Sequence, residues 1–254
     1  VGITFKKSIG AVLGGVAVVG LVAGCSSDGS PTTSDAADAS TSASTAASAS
    51  STASPADPSK VQGLVLDTSD FPAGYKALKV PTSQMQATID QLLATTKSAK
   101  IVPSKCLQLS AIPESVDVDK LGLVMATKGT SAALSESVAV SPTSISDYRK
   151  QASGACSDLK MTVTMSGQSV TSTVHQSIVD GPKVDADESL VLEVDTEAKA
   201  AGTTVKTSAV MGYAEVNGYL VSVQATSLTP GSKPDRAAFD DLFTKAVAKV
   251  ESQA

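Results

Sequence analysis

The chain has 254 residues, 42% of them hydrophobic but only 3% aromatic, with no Trp, a single His, three Cys and a net charge of −5. A mildly acidic surface without a basic run argues against nucleic acid as a partner, because phosphate binding needs clustered cations. The scarcity of aromatic rings weighs against a carbohydrate module with an aromatic platform and leaves Val, Leu, Ala and Met to fill the interior.

Lys6 and Lys7 precede an apolar run, "IGAVLGGVAVVGLVAG", from Ile9 to Gly24. The run is too short and Gly-rich for a comfortable membrane span and reads as the h-region of an export signal. It stops at "LVAGC", where Ala23, Gly24 and Cys25 resemble the bacterial lipobox, in which the cysteine thiol is acylated and the signal is cut just before it. The resemblance implies a signal peptide over 1–24, lipidation at Cys25 and a membrane anchor on the extracytoplasmic face, since two or more acyl chains hold a protein stably where one binds reversibly. An ordinary cleaved signal peptide and an uncleaved signal anchor are the competing readings. From 25 to 60 the chain is a lipidated Cys followed by a Ser/Thr/Ala/Asp/Pro tract with no aromatic or large aliphatic residue. Such a segment cannot offset its ordering entropy by burial, and as a disordered stalk it spans roughly 30–35 Å. Its Ser/Thr/Pro content also suits O-glycosylation.

The remaining residues, 61–254, suit one domain. "PTSQMQATIDQLLATTKSAK" predicts a helix with Ser83 as N-cap and Gln86 closing a capping box. Met85, Ile89, Leu92 and Leu93 then share a face. From Leu121 the period changes to two, and "LGLVMATKGTSAALSESVAV" predicts two strands around a turn at Lys128-Gly129-Thr130, bounded by Pro142. Ile145, Tyr148 and Ala152 fall on one helical face just before Cys156. In an oxidising compartment Cys106 and Cys156 read as a disulfide, which stabilises by on the order of 4 kcal/mol for a loop of about 50 residues. Two free thiols or half of a metal site are the alternative, against which stand the single His and the lack of Cys-x-x-Cys spacing.

Five further strands follow as a meander, with a hairpin near Ser166-Gly167-Gln168 and a type I′ turn at Asn217-Gly218, where both positions need positive φ. Beyond that turn Tyr219, Val221, Val223 and Ala225 alternate with Leu220, Ser222 and Gln224, which predicts one buried face. Pro234 is placed in the first turn of a last helix carrying Phe239, Leu242, Phe243, Ala246 and Val250 on one stripe. The expected fold is therefore α+β, an antiparallel β-sheet meander with about three packing helices and one disulfide.

This element order, the "DFPAGY" entry from Asp70 to Tyr75 and the two cysteines, the second just after a helix, resemble a group of actinobacterial envelope lipoproteins. They are similar to the extracellular sensor domain of mycobacterial receptor serine/threonine kinases. That resemblance implies a ligand-recognition module, an antiparallel sheet and helices framing a cleft, with no chemistry of its own. The sensor domain carries a second disulfide for which this chain lacks the cysteines.

The chemistry legible in the residues is sparse. His175 falls on the outward side of a strand if Val170, Val174 and Ile178 face inward, and no Gly-x-Ser-x-Gly elbow accompanies it. Ser157 to Lys160 matches Ser-x-x-Lys without the helix or the companion elements that acylation requires. Asp180, Asp185, Asp187 and Glu188 concentrate oxygen ligands suited to Ca²⁺ in one stretch, but their spacing departs from the calcium-loop pattern, and a solvated loop is the preferred reading. The expectation is a non-enzymatic, cofactor-free lipoprotein of the cell envelope that senses a ligand or engages a partner, lipid or protein. The alternative is a lipid or glycolipid carrier with an apolar cavity.

Overall fold

Strands that alternate apolar and polar side chains cannot hide their apolar sides alone, and here they pair into a single sheet. The computed structural model describes residues 56–106, 115–140, 143–165, 168–200 and 202–254. Nine strands make one antiparallel sheet: β1 Lys76–Ala77, β2 Lys100–Val102, β3 Leu121–Lys128, β4 Ala132–Val140, β5 Asp158–Met165, β6 Gln168–Val179, β7 Glu188–Ala200, β8 Thr203–Val216 and β9 Tyr219–Ser227. Among the described residues four helices accompany it: α1 Val61–Leu64, α2 Thr82–Ser98, α3 Ile145–Gln151 and α4 Arg236–Gln253. The order across the sheet is β1-β3-β4-β9-β8-β7-β6-β5-β2, so the strand last in sequence lies inside the sheet, between β4 and β8. The fold is α+β with one disulfide, as the sequence pattern predicts, and the two short edge strands are additions that no alternation announces.

The stripe on α4 is buried throughout against Val210, Ala214, Val221, Val223 and Ala225. Each such Phe or Leu contributes about 1.5–3 kcal/mol relative to exposure. Close approach of helix and sheet depends on Gly212 of β8, whose Cβ, if present, would lie 2.8 Å from Phe239 Cζ. On the same face a strap formed by 56–71 packs Val61, Leu64, Leu66 and Phe71 into the core beside α4. Gly122 of β3 lets it in, because a Cβ there would overlap the Val61 carbonyl oxygen.

The opposite face is covered piecemeal. Ile145, Tyr148 and Ala152 of α3 and its C-terminal edge meet Leu190, Leu192, Tyr213 and Leu220, with the Tyr148 and Tyr213 rings stacked at 4.5 Å. Near the N-terminal end of β3, Ile89 and Leu93 of α2 pack with Val116, Leu121 and Leu123. Just past the other end of that helix, Ala99 packs with Met161 and Val163. Among the described residues no helix is long and apolar enough to cross a membrane.

Several local expectations change. The first half of β9 is buried on both faces, Leu220 and Ser222 as well as Val221 and Val223, because α3 and α4 cover the two sides of the sheet there. α2 begins at Thr82 behind Pro81 without a side-chain cap, leaving Ser83 inside the helix. Gln86 closes no box: its Nε2 donates to the Val116 carbonyl at 2.9 Å and its Oε1 accepts from Val118 N–H at 3.3 Å, which ties the entry to β3 onto α2. Asp235 caps α4 by accepting from Ala238 N–H, so Pro234 precedes the cap instead of occupying the first turn. Ile178 is 41% exposed, since pairing with β5 stops at His175 and the end of β6 runs on past its neighbour. The Asn217-Gly218 turn has the expected positive φ at both positions, 52° and 80°.

The packed chain also starts before Val61. Asp57 N–H donates to Tyr219 Oη at 2.8 Å and that hydroxyl donates back to the Asp57 carbonyl at 3.1 Å. Asp57 in turn caps the short turn Pro58–Lys60.

Candidate functional site

Cys106 follows β2, which pairs with β5, and Cys156 lies between α3 and the start of β5. The two cysteines are bonded to each other, with Cα atoms 5.6 Å apart, and both are buried. Cys25 lies outside the described residues.

Asp180, Asp185, Asp187 and Glu188 do not converge. Val184 and Ala186 turn in toward the core, so the alternating Asp185 and Asp187 point to solvent. Arg236 Nη2 donates to the Asp180 carbonyl, Asp187 N–H donates to the Glu215 carbonyl at 2.8 Å, and Glu188 pairs with Arg149 at 3.4 Å. Among the described residues no three ligating side chains come together for a metal ion.

Strand pairing of β5 with β6 brings Asp158 opposite His175. His175 Nδ1 lies 2.8 Å from Asp158 Oδ1, while the single Ser157 Oγ–H has two acceptors in reach, Asp158 Oδ2 at 3.0 Å and the Gly154 carbonyl at 2.9 Å. Hydrogen bonds from His175, then from Ser157, hold the Asp158 carboxyl below its ordinary value. The order is Ser–Asp–His with the carboxylate in the middle, so the serine proton is directed at carboxylate and carbonyl oxygens. A nucleophilic serine needs its proton directed at the imidazole.

Two features stand out instead. The first is on the α3 face of the sheet, where strand register places Ser135 opposite Gln224 and Gln224 opposite Met211, with Met125 beyond Ser135. The next row holds Thr127, Ala133 and Thr226, and Gln224 Nε2 donates to Thr226 Oγ1 at 2.8 Å. Ser135, Gln224, Thr226, Met125 and Ala133 are half-buried and lie outside the apolar clusters that the helices form with the sheet. Leu78 and Leu228, at the ends of β1 and β9, are 45% and 40% exposed. The result is a strip of hydrogen-bonding side chains with apolar margins in the sheet's middle, a surface suited to holding a partly polar ligand or chain.

The second feature is Glu136 of β4, buried completely among Leu134, Val138 and Val223 on the α4 face. Its Oε2 accepts from Leu66 N–H at 2.9 Å, and Oε1 has no hydrogen-bond partner among the described residues. Burial pushes its carboxyl up to about 7 from an ordinary 4.5, against the opposing pull of the Leu66 hydrogen bond and the Lys249 charge. Neither feature is singled out by sequence reasoning, although the alternation Leu134, Glu136, Val138 in "LSESVAV" places this one carboxylate on a buried face.

No protein-family model matches the chain, and no curated protein matches it. Among solved structures it is similar to an X-ray structure of an uncharacterized protein from Mycobacterium smegmatis, the Rv0999 ortholog, at 18% identity and a TM-score of 0.42, with 77% of this chain and 97% of that one covered.

Proposed function

We propose that the protein is an exported lipoprotein, anchored at Cys25 on the extracytoplasmic face of the cell membrane, whose domain is a non-catalytic ligand-sensing or interaction module of the envelope. The observation that carries the module reading is the half-buried strip of Ser135, Gln224 and Thr226, hydrogen-bonding groups set in the middle of a sheet face and outside the helix-packed clusters. Supporting it are the lipobox-like "LVAGC", the Ser/Thr-rich tract that would set the domain off the membrane, and the resemblance to kinase sensor domains. A lipid or glycolipid carrier is the second reading, favoured by the exposed Leu78 and Leu228 and the half-buried Met125 bordering the same strip.

The test is native mass spectrometry with solvent extraction on Cys25→Ala protein exported from an actinobacterial host, alongside crosslinking of the parent in intact cells. A clean mass with one recurrent crosslinked partner that Gln224→Ala loses supports the module. A stoichiometric extracted lipid moves the carrier reading ahead of it. Parent and Cys25→Ala protein should also separate between detergent and aqueous phases, and co-partitioning of the two defeats the anchor.

A further inference from the structure

Glu136 and Lys249 reach the same peptide group from opposite elements. Lys249 Nζ, on α4, donates to the Val65 carbonyl at 2.6 Å, and Glu136 Oε2, on β4, accepts from Leu66 N–H at 2.9 Å. The carbonyl and the N–H belong to one peptide unit, the 65–66 bond, so the strap is gripped at one point by a cation on one side and a carboxyl on the other. We propose that this grip is a proton-controlled latch holding the N-terminal strap, 56–71, on the sheet, closed when the Glu136 carboxyl is neutral and loosened when it ionises.

A neutral buried carboxyl can be accommodated with one accepted hydrogen bond and an unpartnered oxygen, whereas an ionised one with an empty lone-pair set bears the full desolvation cost. The charges around Glu136 offset little of that cost. From α4, Lys249 is drawn to the Val65 carbonyl and lies 3.6 Å from Asp67, and Lys245 donates to the Asp70 carbonyl while pairing with Asp241. From the strap, Asp67 and Asp70 add negative charge, and Asp70 pushes the Glu136 carboxyl further up. The flanking strands offer Val124 and Val223, which carry none.

When the strap lifts, Glu136 meets water and its carboxyl returns to the ordinary range. The closed form therefore keeps a proton that the open form releases between pH 4.5 and about 7. Closure is favoured fully below that window, weakens as pH rises through it and is constant above it.

Amide hydrogen exchange on the full chain between pH 5 and pH 8, divided by the intrinsic exchange rate at each pH, reads the latch directly. The opening constant for amides between 59 and 71 should rise on the order of 50- to 100-fold over that range, while Val191 and Val210 in the sheet's centre stay level. Glu136→Gln, which keeps an oxygen for Leu66 N–H, should flatten the strap's response. Lys249→Met should move its midpoint to higher pH, because the carboxylate loses its one attractive charge. A level strap in the parent, an equal rise at Val191 and Val210, a persisting response in Glu136→Gln, or an unmoved midpoint in Lys249→Met overturns the latch.

Discussion

Adding one methyl group at Gly212 tests whether α4 is seated as closely as the geometry implies. In Gly212→Ala the new Cβ would lie 2.8 Å from Phe239 Cζ and 3.0 Å from Phe243 Cδ2 and Cε2, where ordinary carbon contacts are about 3.5–4.0 Å. Both rings are fully buried and stacked on each other at 5.6 Å, so neither can swing into solvent. The helix must lift or the rings must leave their rotamers, an overpacking cost of about 1–3 kcal/mol. Restricting the unfolded chain returns about 0.4–1 kcal/mol. A net loss of about 1–2 kcal/mol, a Tm lower by about 2–8 °C, is expected for a domain of this size. Urea unfolding followed by far-UV circular dichroism should give a lower midpoint at an unchanged slope, and the loss should shrink in a Phe239→Leu background, where the ring that collides is gone. A Gly212→Ala protein within about 0.5 kcal/mol of the parent would refute close seating.

Reduction of the Cys106–Cys156 bond, or the double change to Ser, should cost on the order of 4 kcal/mol by freeing a loop of about 50 residues, and non-reducing peptide mapping should recover the two cysteines linked. Tyr219→Phe should cost about 1–2 kcal/mol in thermal unfolding because both main-chain groups of Asp57 lose their partner. Tyr213→Phe should be neutral within about 1 kcal/mol, since its hydroxyl donates only to the Met211 sulfur at 3.8 Å. His175→Ala, at an exposed strand position beside Asp158, should change the same unfolding curve by less than about 0.5 kcal/mol.

What could be read from the sequence followed from periodicity and turn chemistry. The α4 stripe, the Ile145–Tyr148–Ala152 face, the Asn217-Gly218 turn and the cysteine pair all depend on residues near in sequence or on a simple count. What escaped depends on partners distant in sequence. The covering of β9 on both sides follows from its interior place between β4 and β8, which alternation within one strand cannot reveal. Gln86 reads as a capping residue until Val116 and Val118 are set against it. The strap is gripped by residues from β4 and α4, far along the chain, so its own composition carries no sign of them.

The interior position of β9 has a consequence for how the protein comes into being. A chain emerges N-terminus first at roughly 5–20 residues per second, so β4 waits on the order of ten seconds for the neighbour it pairs with along its whole length. During that interval β4 and, later, β8 each present an unpaired apolar border, the kind of surface that invites association between nascent chains. Loss of residues 219–254 would remove the strand that joins the β1-β3-β4 group to the β8-to-β2 group by backbone pairing. Two incomplete sheets would then stand in place of one, and a version ending before Tyr219 would be far less soluble than one that carries β9.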